Sequence, residues 1–431
     1  MDGGHRQRGD RAAGLLSTPI RFSFAKLIGP GLLVAAAGLG AGDIVSATSA
    51  GAGHGLSVLW AVAVAVILKA FLIEGIARWQ LGTGTTVIEG WCTHLPWWVH
   101  VYFGLYLTLW TVAVSAALTN AGGLGLAHLT DGAIPASWGA VLHAVAGCVL
   151  VLIGGFKGFE KVMKVLIGVM FFSIVTCAAL TLRDPVAVLE GLFVPTIPSG
   201  AGPAILSLLG GIGGSIVMLA YNYWLREQRI SGPQWLGYVR IDITIAYLFT
   251  GIFGISVIVL AHQAFFVAGV AITDEQAVPR MAEMLGASIG PFGYYAFSIG
   301  FWATVFTSVL GVWQGLPYLF ADYYGLLRKR PPSVRDQLTR VTSNAYRVSL
   351  FFITLVAIPF AFVDRSLFII VGFTIVGSLF IPFLAATLLY MNNALLRADG
   401  GVPRNSMLTN AVLVFALVLF TLLSAHDIGL F

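Results

Sequence analysis

The chain has 431 residues, 58% of them hydrophobic and only 10% charged, with a mean hydropathy of +0.89. Soluble domains carry about a quarter charged residues, so this composition excludes a soluble globular protein and describes a chain that crosses a membrane many times. The net charge of +5 comes from basic residues scattered among short loops, with no basic patch to hold nucleic acid, which leaves the lipid bilayer as the partner.

Residues 1–26 hold Arg6, Arg8, Arg11, Arg21 and Lys26 among small and polar residues and read as a basic cytoplasmic tail. No short apolar region with a small-residue cleavage site follows, so this is not a cleavable signal. Apolar windows then predict eleven spans, at about 28–51, 56–80, 98–126, 135–154, 160–182, 203–226, 240–267, 290–327, 342–363, 366–394 and 405–424. With the N-terminus inside and the C-terminus outside, 20 of the 24 lysines and arginines fall in inner segments. That asymmetry supports both the orientation and the odd span count, and the plasma (inner) membrane is the expected location.

The first span is interrupted. Gly38-Leu39-Gly40-Ala41-Gly42-Asp43 puts three glycines just before the only charge between Leu27 and Ala50. Glycine weakens a helix and frees carbonyls, and irregular backbone at membrane depth is tolerated only where it faces protein or a wet cavity. A broken helix with a carboxylate reads as a solute site, because a charge near the bilayer centre costs roughly 3 kcal/mol. Asp43 can also serve as the N-cap of the second half-helix, accepting from the Ser46 N–H, and the two roles are compatible.

Lys69 lies inside the second span, and its spacing of five from Glu74 suits no same-helix pair, so it needs a partner elsewhere. Glu74, Arg78, Glu89, Asp242 and Asp322 fall near inner helix ends, where an ion-pair network closing the cytoplasmic side competes with simple snorkelling. The sixth span carries a second interruption, Gly210-Gly211-Ile212-Gly213-Gly214-Ser215, ahead of Met218 and Asn222. Spans one and six correspond if the chain is two five-helix repeats plus one helix, and interrupted helices in matching positions are the sequence mark of an inverted-repeat transporter. The domain reading is therefore a transporter domain over 27–431, with a first repeat at 27–182, a second at 203–394 and an extra helix at 405–424.

An embedded enzyme is the competing class. The eight histidines fall mostly at loops or helix ends and form no H-x-x-x-H or H-E-x-x-H pattern. Cys92, Cys148 and Cys177 form no metal-binding spacing. Neither supports an enzyme.

Gly29-Pro30-Gly31-Leu32-Leu33, Gly40-Ala41-Gly42-Asp43-Ile44, Arg78 with Thr83-Gly84 and Glu89, Gly155-Phe156-Lys157-Gly158-Phe159-Glu160 and Arg240-Ile241-Asp242 resemble, in order and spacing, landmarks of the natural resistance-associated macrophage protein (NRAMP) family. Thr307 to Gln314 and Leu379-Phe380-Ile381-Pro382 add weaker matches. The resemblance implies an all-α polytopic membrane protein of the LeuT type: a 5+5 inverted repeat with an eleventh helix, helices 1 and 6 being broken at midplane. It also implies a secondary transporter of a divalent metal cation, with the metal as cargo and no cofactor, expected to be a monomer. The family's first-helix Asp-Pro-Gly-Asn stands here as Gly40-Ala41-Gly42-Asp43, and its sixth-helix Met-Pro-His as Met218-Leu219-Ala220. The implied metal site is Asp43 and Met218 with carbonyls near Gly40 and Ser215. Asn222, Gln314 and Thr374, the last in place of the family's tenth-helix glutamine, are candidate second-shell groups or interhelical hydrogen-bond donors. The family's third-helix acids are absent between Leu105 and Ala127, where Asn120 and nearby His128 are the polar candidates, so proton coupling is expected to be weak or missing. A same-fold carrier of a cationic or amine-bearing organic solute is the alternative.

Overall fold

A computed structural model describes residues 29–269, 277–363, 376–377, 379–396 and 401–427. The basic tail and Thr374 lie outside the described residues. The described regular structure is helical throughout, and each expected span has a counterpart.

The first span is two helices, α1 (Pro30–Gly38) and α2 (Ala41–His54). Pro30 starts α1 with a preset φ and no N–H to satisfy, and Leu39 ends it by leaving the helical region at φ −89°, ψ 87°. The break lies at Leu39-Gly40, so Gly42 belongs to α2 and not to the interruption. A 3-10 turn at Gly55–Val58 leads into α3 (Leu59–Thr83), followed by the short α4 (Val87–His94), capped by Thr86, and α5 (Trp97–Leu129). The fourth and fifth spans are joined so tightly that helix runs through α6 (Ala136–Thr181) except at Gly155, whose φ of 52° turns the chain.

After α7 (Pro185–Phe193), the sixth span repeats the interruption: α8 (Gly202–Gly211), an open stretch to Ser215, a 3-10 turn at Ile216–Leu219 and α9 (Ala220–Glu227). Then come α10 (Leu236–Ala261), α11 (Ala277–Ile289), α12 (Pro291–Leu327), α13 (Pro332–Leu338), α14 (Asn344–Phe360), α15 (Phe380–Tyr390) and α16 (Met407–Asp427).

The polarity of the bundle is that of a membrane protein. Leu105, Ile153, Phe172 and Leu248 face outward, while Asp43, Lys69, Arg78, Asp242 and Asp322 are buried. Trp97 and Trp98, exposed where α5 begins, match an interfacial aromatic belt. Of the described helices long enough to cross a membrane, the most enclosed is α12, which packs on α1, α5, α6 and α14. Small residues allow that packing: a methyl built on Gly311 would fall 2.1 Å from the Ala37 Cβ.

The two interrupted helices meet backbone to backbone. A methyl on Gly38 would lie 2.8 Å from both Gly213 C and Gly214 N, atoms that cannot rotate away. Gly38→Ala should therefore lower stability by about 1–3 kcal/mol or repack the crossing with loss of transport. Gly53→Ala, whose methyl would meet nothing within 4 Å, should be neutral. Thermal unfolding of the two variants in detergent checks the contrast.

Candidate cation site

The crossing leaves a small cavity between the halves of both broken helices. Gly38, Gly40 and Asp43 line one side, Gly211, Gly214 and Ser215 the other, and Trp110 of α5 and Ser308 of α12 close it. Its volume, about 30 Å³ for the centre of a water-sized sphere, holds one ion with one or two waters.

Asp43 supplies the charge. It is not the N-cap: Gly40 takes that position, and Asp43, three residues on, reaches back so that its Oδ2 accepts from the Gly40 N–H at 2.6 Å. This charge-assisted bond, worth about 1.5–3 kcal/mol, and the positive end of α2 make a buried carboxylate tolerable. The other oxygen, Oδ1, is buried with no hydrogen-bond partner among the described residues and belongs to a residue on the cavity wall. A ligand oxygen left open is the main chemical feature of the site.

Lys69 finds its partner 141 residues away. Its side chain is wholly buried, and Nζ donates to Gly210 O at 2.7 Å and Gly211 O at 3.2 Å, the unpaired carbonyls at the end of α8. Other exposed peptide oxygens are also occupied. Tyr247 donates to Gly213 O at 3.1 Å, Ser308 to Leu39 O at 2.7 Å, and the Met218 N–H to Ser215 O at 3.0 Å.

The remaining residues singled out in the sequence scatter. Gly40 and Ser215 line the cavity, but the wall runs from Ser215 to Val217 and bypasses Met218, which is fully buried. Asn222 bonds Gln80 and accepts from the Val87 N–H at 3.3 Å, joining α9 to α3 and α4. Gln314 accepts from Trp224 Nε1 and donates to Tyr318 at 2.8 Å. Both are spent on bundle packing. Asn120 donates to Phe360 O at 3.2 Å and His128 bonds Ser298 at 3.1 Å. His143, inside the predicted span 135–154, is buried in α6 and accepts from Trp302 at 2.9 Å. Sequence reasoning missed Ser308 and Trp110; serine and tryptophan inside apolar helices carry no distinguishing signal.

The acidic residues grouped as one gate form three clusters on the face where most arginines lie. Glu74 pairs with Arg78 at 2.5 Å and Arg240 at 2.9 Å, and Arg78 also donates to Pro403 O at 2.5 Å. Glu89 and Asp322 share Arg335 at 2.5 and 3.2 Å, with Thr86 and Tyr223 also donating to Asp322. Among the described residues Asp242 pairs with no cation: it accepts from the Gly31 N–H at 2.7 Å and from Tyr221 at 2.9 Å, fastening the start of α1 to α9 and α10.

Fold and cavity together define a membrane protein, helical throughout its described regular structure, with two interrupted helices around a carboxylate. The sequence profile described as natural resistance-associated macrophage protein-like matches residues 31–428, and the chain belongs to that family. It is 29% identical over 286 residues to the divalent metal cation transporter MntH of Chromohalobacter salexigens, covering 60% of this chain and 62% of that one. To natural resistance-associated macrophage protein 1 of Bos taurus it is 29% identical over 269 residues, covering 57% and 47%. The chain thus spans less than two thirds of the length of these relatives.

A crystal structure of a histidine-to-alanine mutant of the Eremococcus coleocola manganese transporter superposes with a TM-score of 0.71 at 17% identity, covering 95% of this chain and 88% of that one. A crystal structure of MhsT in complex with L-phenylalanine superposes with a TM-score of 0.56 at 17% identity, covering 91% of this chain and 98% of that one. The fold is the LeuT type.

Removing Arg335 would strand two carboxylates, one of them on the almost fully buried Asp322. Arg335→Ala should cost about 3 kcal/mol, against near neutrality for the exposed Arg328, a contrast measurable as a fall of several degrees in the detergent melting temperature.

Proposed function

We propose that this protein is a secondary transporter that carries a hard divalent cation, Mg2+ or Mn2+, across the plasma (inner) membrane by alternating access through the cavity at Asp43. The observation that carries this reading is the buried, partnerless Asp43 Oδ1 on the cavity wall. Residues 27–182 and 203–394 would form the two repeats, in a monomer with its N-terminus inside and C-terminus outside.

The donor set favours a hard ion. The carboxylate and the hydroxyls of Ser215 and Ser308 offer oxygen, and the one thioether weighed for the site, Met218, is off the wall. Such a site suits an ion that keeps part of its water, as Mg2+ does. The cavity volume speaks against a bulky organic cation.

Coupling to protons needs groups that bind and release them along a path. In α5 the buried polar positions are Thr111, Ser115, Thr119 and Asn120, none of them acidic. Asp43 would then be contested directly by proton and metal, with transport following the metal gradient and the voltage.

In proteoliposomes loaded with a metal-sensitive dye, Asp43→Ala should reduce uptake to background while the variant stays folded; normal uptake would refute the assignment. Met218→Ala should change uptake of Mg2+, Mn2+ and Cd2+ by similar factors, since a selective loss of Cd2+ would mark a thioether ligand. Acidifying the side from which the ion enters should slow uptake by protonating Asp43, whereas metal-driven acidification of the lumen would reveal a proton path.

A further inference from the structure

Lys69 has no role in the proposed transport cycle, yet it is a wholly buried lysine bonded to the carbonyls of Gly210 and Gly211, two residues that line the cargo cavity. The helix α8 stops at Gly211, and its last carbonyls have no helical partner and carry the negative end of the helix dipole. In a membrane interior those oxygens need a donor or a cation. Lys69 reaches them from α3, its Cδ 3.3 Å from where a Gly213 methyl would be, so the bare glycine leaves the path open. The same segment touches the carboxylate: a methyl on Gly211 would sit 3.7 Å from Asp43 Oδ1. Two carbonyl oxygens beside a carboxylate are the ligands of a small hard cation. A glutamine could satisfy the same carbonyls with N–H groups and no charge, so the ammonium, far costlier to bury, supplies something that a neutral donor would not.

We infer that Lys69 is a tethered substitute for a monovalent metal ion. It fills an alkali-cation seat made by the Gly210 and Gly211 carbonyls next to Asp43, and it sets the fixed charge of the empty site to zero. The wild-type carrier then requires no co-bound ion, and its empty site can reorient without an unpaired charge. The seat follows from the geometry of α8; only its effect on the cargo rests on the reading of Asp43 as the metal ligand.

The test uses the full-length protein with Lys69→Gln and Lys69→Met. Thermal unfolding is measured in choline chloride and in NaCl, KCl or RbCl at equal ionic strength. The wild type should melt at the same temperature in all four, and at least one variant should gain a saturable stabilisation by one alkali ion or fold only in its presence. In choline, the folded variant should bind Mn2+ about tenfold more tightly than the wild type, an advantage that the alkali ion removes. If Asp43 is not the metal ligand, the Mn2+ difference disappears while the alkali-dependent melting remains. The inference is overturned if neither variant gains alkali dependence, including failure of both to fold in every salt, or if the wild type is stabilised equally.

Discussion

The structure depends on one steric constraint, the crossing of α1 and the stretch that follows α8 at backbone distance. Gly38 faces the peptide between Gly213 and Gly214 with no room for a methyl, and Gly214, at φ 82°, adopts a conformation that L side chains rarely hold. Continuous helices would bury their peptide groups in their own hydrogen bonds. Breaking both at the crossing turns those groups toward each other and toward a cavity, which is how an apolar bundle acquires a polar centre.

That centre is then balanced group by group. Gly40 N–H and the start of α2 hold Asp43, Lys69 holds the end of α8, and Tyr247 and Ser308 hold the loose carbonyls between. What is left over is Asp43 Oδ1. A similar economy governs the arginine-rich face, where Arg335 serves two carboxylates and Asp242 fastens the first turn of α1. Because Asp242 ties the start of α1 to the start of α9, the bonds from Gly31 and Tyr221 to Asp242 are among those that the proposed alternating-access motion would have to break.

Much of this was legible in the sequence. Glycine clusters inside apolar runs marked both breaks, and a lone carboxylate pointed to the cavity that the breaks enclose, since both are expensive at membrane depth unless used. The partners were not legible. Lys69 could be recognised as lacking a neighbour on its own helix, but its acceptors are peptide oxygens 141 residues on, which no residue type announces. Met218 shows the converse: its family position brought it forward, but the local 3-10 turn buries it off the cavity wall, while Asn222 and Gln314 make interhelical hydrogen bonds, the other reading open to them. Side-chain direction around an irregular segment is set by dihedrals that a sequence pattern does not encode.

The most direct measurement of the central claim is the position of the bound cation. Crystals of the protein grown with Mn2+ and measured at the manganese absorption edge should give an anomalous peak within bonding distance of Asp43 Oδ1, inside the cavity lined by Gly40, Gly211 and Ser215. A peak confined to the larger cavity lined by Glu89, Glu227 and Asp322, with none beside Asp43, would contradict it.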